Sequence, residues 1–469
     1  MSKHINKENQ TQRKKHSKKK QGDSFGVINP NAAGIDVGSE EHWVAVPKDR
    51  DEEPVRSFKC FTADLHAMAD WLKKCSIQTV VMESTGVYWI PIFQILESHG
   101  FEVKLVNARH VKNVPGRKTD VSDCQWLQRL HTYGLLSGSF RPEDSICVLR
   151  SFWRHRDTLI RYASSHVQHM QKALTEMNIQ LHKVISDITG LTGMRIIRAI
   201  LAGERDLVTL AHMRDPRIKS STEQIAKALE GDYRKEHLFA LQQAVELYDV
   251  YQQKIQACDQ QIEQYLTQLD SKIDLESNPL PASTKSNKTP KGNAPHFDLR
   301  THLYRISGVD FTQIDGLDAV SVHTILSEVG LDPAAFHTEK HFCSWLGLSP
   351  NNRITGGKIK SSKTRKVINR ATSAFRMSAQ SLTYSSSALG GYYRRMCARL
   401  GAPEAITATA HKLARIFYHL WKNGGIYQDP GPLYYEQKYK ERVINNMIRK
   451  AKQLGFQLNI EPLNELQVS

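Results

Sequence analysis

No run of roughly 18 apolar residues occurs in the 469-residue chain, so no segment is suited to span a bilayer as a helix. Paired CxxC spacings are also missing. The seven cysteines (Cys60, Cys75, Cys124, Cys147, Cys258, Cys343 and Cys397) are scattered and odd in number, which argues against a disulfide framework or a zinc knuckle and for a reducing cytosol. The basic N-terminus lacks the apolar core of a secretion signal, so export is not expected. Acid is in short supply: 64 Lys and Arg face 48 Asp and Glu, a formal net charge of +16 that points to a polyanionic partner. The deficit is concentrated. Between Lys340 and Pro403 there is no acid at all, while Lys340, Arg353, Lys358, Lys360, Lys363, Arg365, Lys366, Arg370, Arg376, Arg394, Arg395 and Arg399 are all cationic. A solvated helix face mixes both signs, so this stretch reads as a phosphate-backbone surface, with Arg353, Lys358, Lys360, Lys363, Arg365, Lys366 and Arg370 as its nucleic-acid-binding candidates. Interleaved aromatics (Trp345, Phe375, Tyr384, Tyr392, Tyr393) suit either base stacking or core packing, and core packing is the default.

The pattern divides the chain into six parts. Residues 1–30 form a basic arm too polar to bury its own surface. Over residues 31–148, short apolar runs at 33–37, 42–46 and 55–61 are separated by turn residues, as in an antiparallel meander. Later runs at 79–82 and 103–106 are separated by helical stretches, as in parallel crossovers. This predicts an α/β domain of the ribonuclease H-like kind. Residues 149–275 are helical and of coiled-coil character. One seam (Ile160, Ala163, Val167, Met170, Leu174, Met177, Leu181, Val184, Ile188) alternates spacings of 3 and 4, and a second runs from Leu238 to Leu269. The two helices pair within one chain or between chains. Residues 276–297 read as a flexible linker, 298–425 as a mostly α C-terminal domain, and 426–469 as a peripheral tail.

Four acids stand where surface charges do not. Asp36 interrupts the apolar run Gly34–Val37, and Glu83 ends the run Val80–Met82. Burying carboxylates at strand ends is costly unless a cation compensates. Asp120 and Asp123 are three apart and face one side of a helix's first turn. Four oxygen donors gathered this way suit Mg²⁺, and a pair of such ions can assist phosphodiester cleavage. Singly, each acid also has a structural role open to it: Asp120 as a helix cap, Glu83 as a turn residue. In Asn352–Lys358, two glycines follow Thr355 and would let backbone approach a phosphate, making Thr355 a candidate nucleophile; an ordinary Gly-Gly turn is the alternative.

At these residues the chain resembles the DEDD transposases of the insertion-sequence 110 family. The likeness is carried by Gly34-Ile35-Asp36, Met82-Glu83-Ser84-Thr85-Gly86, the string Lys112 to Asp123, and Gly347 to Lys358. It implies a RuvC-like nuclease domain with Asp36, Glu83, Asp120 and Asp123 as Mg²⁺ ligands, and a C-terminal transposase domain. In the family a serine nucleophile stands where this chain has Thr355; the added methyl crowds attack on phosphorus, and Ser361 and Ser362 are nearby substitutes. The resemblance further implies DNA recombination on donor and target strands, a guide RNA pairing with both, and a homo-oligomer, dimer or tetramer, in which one chain's carboxylates meet another's nucleophile. It also implies a cytoplasmic protein associated with the bacterial nucleoid. Gln313 to Gly330 resembles the family's helix-hairpin-helix-like element, although Asp315 and Asp318, with Asp310 just before it, favour packing. Two other functions fit the residues: a RuvC-like junction nuclease using water, and a non-catalytic RNA/DNA-binding protein.

Overall fold

The computed structural model describes residues 26–84, 86–107, 120–283 and 292–458. Most of the basic arm, the Lys112–Thr119 part of the long motif, the middle of the linker (284–291) and the last eleven residues (459–469) lie outside the described residues. The chain forms two compact units, Met1–Arg141 and Pro142–Ser469.

The first unit is built on a five-stranded sheet of order β3-β2-β1-β4-β5. Strands β1 (Ala32–Val37), β2 (Glu41–Ala45) and β3 (Val55–Lys59) form the expected antiparallel meander. Helices α1 (Thr62–Lys74) and α2 (Trp89–Ser98) are the crossovers that bring β4 (Thr79–Glu83) and β5 (Glu102–Val106) in parallel to β1. Side chains alternate along a strand, so each strand serves two faces. Ala33, Ile35 and Val37 join Val80 and Met82 in a core closed by Leu65, Met68 and Leu72 of α1 and Ile92, Phe93 and Leu96 of α2. The other face carries Gly34, Asp36, Val81 and Glu83 and is covered by α3 (Asp120–Thr132), whose Leu127 packs on Val81 and Val106. Gly34 is required there. A Cβ on it would come within 2.4 Å of both the Cys124 carbonyl oxygen and the Gln128 nitrogen, so only glycine lets α3 lie this close.

In the second unit, α4 (Asp144–Glu176) and α8 (Lys235–Gln268) form a long antiparallel hairpin. Its pairing is within the chain: the Tyr265 hydroxyl donates to the Ser145 carbonyl at 2.9 Å, Arg156 forms a buried ion pair with Asp259, and Tyr162 meets Tyr251 with ring centroids 5.8 Å apart. The first seam does not continue as helix to Ile188. The helix ends at Glu176 and the chain turns at Asn178, which holds φ +58°. Beyond it Met177, Ile179, Leu181, Ile185 and Ile188 are buried with residues of α5 (Leu191–Leu201), α6 (Leu207–His212) and α7 (Thr222–Leu229), a cap on the hairpin's tip. The apolar spacing marks burial rather than helix continuity.

The rest of the unit is helical: α9 (Leu299–Ser307), α10 (Ala319–Val329), α11 (Glu339–Trp345), α12 (Arg370–Ser381), α13 (Ala388–Leu400), α14 (Ala402–Asn423) and α15 (Tyr434–Gln453). Its centre is aromatic, with Phe311 and Phe417 stacked at 4.0 Å and Phe342, Phe375 and Trp421 around them. Phe375 and Tyr393 are therefore core, as expected, whereas Tyr384 is exposed. The Gln313–Gly330 stretch packs. Asp318 caps α10, Glu328 takes a bidentate pair from Arg154 at 2.9 and 2.6 Å, and His323 lies 4.2 Å from the Trp153 ring. The described ends of the 276–297 segment are held: the Pro281 carbonyl accepts from Arg300 at 2.7 Å and the Asn293 carbonyl from Arg156 at 3.1 Å.

Two buried imidazoles make stability depend on pH. Burial, followed by the charge of Lys104, pushes His131 down to about 4, and burial followed by Arg156 pushes His323 down to about 3. Both are neutral in the folded chain, while in the unfolded chain they titrate near 6.5, so the unfolded state binds more protons below that value. Stability is complete above about pH 6.5 and declines as pH falls towards 4, at about 1.4 kcal/mol per unit for each group. A melting temperature clearly lower at pH 5 than at pH 7.5 is expected, with a smaller drop in His323→Leu. An equal melting temperature at the two pH values would contradict this.

Candidate active site and nucleic-acid surface

Asp36 and Glu83 sit side by side. Ile35 is in register with Met82 across the parallel β1–β4 pair, so the next residues along, Asp36 and Glu83, fall at the same level on the α3 side of the sheet. Both are half-buried. The direction of α3 settles where the other two acids go. His131, near its C-terminal end, bonds the Thr79 hydroxyl at 2.9 Å, at the start of β4. Cys124 and Gln128 lie over Gly34, in the middle of β1. The Cys124 thiol is pushed up to about 12, first by burial and next by the charge of Asp36. The helix thus runs antiparallel to β1 and β4, with its first turn towards their C-terminal ends.

Asp120 is one turn before Cys124, and Asp123 one turn before Leu127, both buried residues of the sheet-facing side. The two acids extend that side past the last packed residues, Asp120 exposed and Asp123 half-buried. All four acids predicted from sequence therefore belong to one end of one sheet face, and none is on the α1–α2 face. Among the described residues no three His, Cys, Asp or Glu side chains come close enough together to hold a metal ion, so the acids share an edge without forming a closed set. The donor types are those of a hard cation's ligands, since every candidate ligand is a carboxylate.

The predicted nucleophile is elsewhere, in the second unit. Strands β6 (Arg353–Thr355) and β7 (Lys358–Ser361) form a hairpin in which Thr355 pairs with Lys358. Gly356 and Gly357 hold φ +56° and +75°, the two positive values that a two-residue hairpin turn of the primed kind requires. The turn accounts for both glycines. Space is open around each: a Cβ added at either would have nothing within 4 Å, so the hairpin tip can be approached closely. Every residue from Arg353 to Lys360 is exposed, including Ile354 and Ile359 at 61% each. An isolated two-stranded hairpin is marginal in water, so one that projects with both faces bare is suited to a partner.

Arg353, Lys358, Lys360, Lys363 and Lys366 are exposed on or beside this hairpin, as a phosphate surface needs. Two members of the predicted set also make contacts within the fold. Arg370 pairs with Asp157 of α4 at 3.0 Å, and Arg365 donates to the Ser344 carbonyl at the end of α11. Sequence spacing could not reveal Arg370's partner, which is more than 200 positions away. Among residues that sequence reasoning missed is His131, whose bond to Thr79 anchors the far end of α3; a histidine three residues beyond Gln128 carries no signal by itself.

Two family models match the chain. The DEDD-type transposase model of the IS110 family covers residues 33–179, which include all four acids. A model described as transposase of the IS116/IS110/IS902 family covers residues 310–394, which include the hairpin and most of the acid-free stretch. No curated protein matches it.

Proposed function

We propose that this chain, which matches IS110-family transposase models over residues 33–179 and 310–394, is a transposase that cuts and rejoins DNA strands through a hydroxyl nucleophile, with Mg²⁺ held by Asp36, Glu83, Asp120 and Asp123 and a guide RNA selecting the strands. The observation that carries this reading is the arrival of four acids, from two strands and one helix, at one end of one sheet face. The 3-2-1-4-5 strand order, antiparallel in its first three strands and parallel after, supports the ribonuclease H-like reading of the first unit.

Bound among these carboxylates, Mg²⁺ would supply positive charge for the phosphate and for the departing oxygen. The rest is the work of the chain's own residues. Thr355 Oγ attacks phosphorus and gives up its proton to solvent, the bond from phosphorus to one strand's oxygen breaks, and that oxygen takes up a proton from solvent so that the strand leaves with a hydroxyl. Phosphorus remains esterified to Thr355 until a hydroxyl of the incoming strand displaces it, restoring the threonine and forming the new phosphodiester. Arg353, Lys358 and Lys360 hold the phosphate near the tip, and the open space at Gly356 and Gly357 lets it approach. The acids lie in the first compact unit and Thr355 in the second, and in this reading a homo-oligomer brings one chain's carboxylates to another chain's nucleophile. Guide pairing leaves the protein to contact backbone, which the basic surface suits.

A purified chain incubated with Mg²⁺, its co-purified RNA and a plasmid carrying donor and target sites is expected to give rejoined recombinant strands, lost on chelation with EDTA or treatment with ribonuclease. Cleaved products that are never rejoined would replace the recombinase by a hydrolytic nuclease. Unchanged activity after ribonuclease treatment would remove the guide RNA.

A further inference from the structure

Within the segment expected to be a peripheral tail, the helix at Tyr434–Gln453 packs on the two helices before it. Helix α15 lies beyond the residues matched by either family model, and it closes a cationic and aromatic junction with α13 and α14. Lys412 of α14 is at the centre. Its ammonium lies 4.7 Å from the Tyr392 ring of α13 and 4.1 Å from the Tyr435 ring of α15, and these two rings meet edge to face at 5.3 Å. Around it, Arg395 stacks over Tyr439 at 3.5 Å and Lys438 over Tyr434 at 4.5 Å.

The charges that shift Lys412 are all of one sign. The charges acting on Lys412 are those of Arg415, Lys438 and Arg442, and together with burial, the largest cause, they push its ammonium down to about 8. Two acids near this junction are committed to other groups: Glu339 pairs with Arg415 at 2.7 Å, and Asp429 accepts from the Ala388 nitrogen at the start of α13 at 3.0 Å. Glu436 and Glu441 are exposed on α15 and are not among the groups that shift Lys412. Bringing like charges to a half-buried ammonium is unfavourable, and an anion entering the junction relieves it. Aromatic rings interleaved with cations are also what unpaired bases use, stacking on the ring while phosphates meet the charges.

We propose that the α13–α14–α15 junction is a binding site for single-stranded nucleic acid, with Lys412, Lys438, Arg442 and Arg395 taking backbone phosphates and the partly exposed Tyr439 taking a base. The site goes beyond the transposase reading and makes no use of the four carboxylates or of Thr355.

The test is fluorescence anisotropy on the full chain with labelled 20-nucleotide single-stranded DNA and RNA, in EDTA so that cleavage plays no part. Lys412→Met keeps the side-chain stem between the two tyrosines and removes the charge, while Lys438→Gln and Arg442→Gln change exposed positions. Each is expected to weaken binding several-fold. The Lys438/Arg442 double variant should also lower the slope of log affinity against log salt by about 1.4, or about 0.7 for each phosphate left without its cation. Tyr439→Leu should weaken single-stranded more than duplex binding. An effect confined to RNA or to DNA identifies the strand involved. Unchanged affinity and salt slope in variants with normal circular dichroism overturns the proposal, and a lowered melting temperature with unchanged binding makes the junction a packing device. Should Lys412→Met fail to fold, the exposed pair decides alone. Because no cleavage is read, failure here leaves the carboxylate reading untouched, and the reverse holds.

Discussion

Asp36→Asn is expected to lower the rate of DNA strand cleavage by about 10³-fold or more while leaving nucleic-acid binding within a factor of about two of the parent chain. The substitution keeps the shape of the side chain and removes one negative charge from the edge where β1, β4 and α3 meet. A carboxylate that only props up the fold would lose little from this change; one that holds a divalent cation beside phosphate would lose several kcal/mol of transition-state stabilisation. Glu83→Gln should behave alike, because its strand position is level with that of Asp36. Asp70→Asn is the control. It also removes an acid from the first unit, but from α1, which packs on the opposite face of the sheet, and its rate should match the parent. The measurement is single-turnover cleavage of a labelled DNA substrate across a Mg²⁺ titration, beside binding in EDTA. If Asp36→Asn cleaves at the parental rate, the four-acid reading fails, whatever the sheet order.

The same edge shows which parts of the architecture can be read from residues. The strands of the first unit were legible because each is short, apolar and bounded by turn residues, and the meander-then-crossover order followed from what separates them. Asp36 and Glu83 were legible as anomalies, charges placed in otherwise apolar runs. Their neighbourhood depends on a register between strands more than 40 positions apart, which no local pattern encodes. The reach of α3 over Gly34 was likewise hidden, because a glycine in a strand signals a close approach without naming what approaches.

In the second unit the apolar rhythm was a good guide to burial and a poor one to helix ends. Met177 to Ile188 kept the spacing of 3 and 4, yet the chain turns at Asn178, a residue type that tolerates positive φ, and those side chains fill the cap instead. The Gly356–Gly357 pair was open to two readings, and its dihedral angles belong to the hairpin turn. That leaves Thr355 resting on its position and on the resemblance, and makes its substitution the sharpest remaining experiment.

Thr355→Ala is expected to abolish the covalent protein–DNA adduct and to reduce strand exchange by about 10³-fold or more, since the oxygen that would carry phosphorus is gone. Fold stability should be nearly unaffected: Thr355 is exposed, it adjoins a turn built by the two glycines, and surface changes away from special features stay within about 0.5 kcal/mol. Thr355→Ser separates the chemical role from the structural one. It keeps the hydroxyl and removes the methyl that crowds attack on phosphorus, so exchange should be retained or faster than in the parent chain. Denaturing gel electrophoresis of reactions on end-labelled DNA reads the adduct, and recombinant yield reads the exchange. A full yield of recombinants from Thr355→Ala removes this residue from the mechanism. An adduct that persists in Thr355→Ala and disappears in Ser361→Ala or Ser362→Ala moves the nucleophile to the end of β7 or the residue just past it, where the same exposed hairpin would still present it near Lys358 and Lys360.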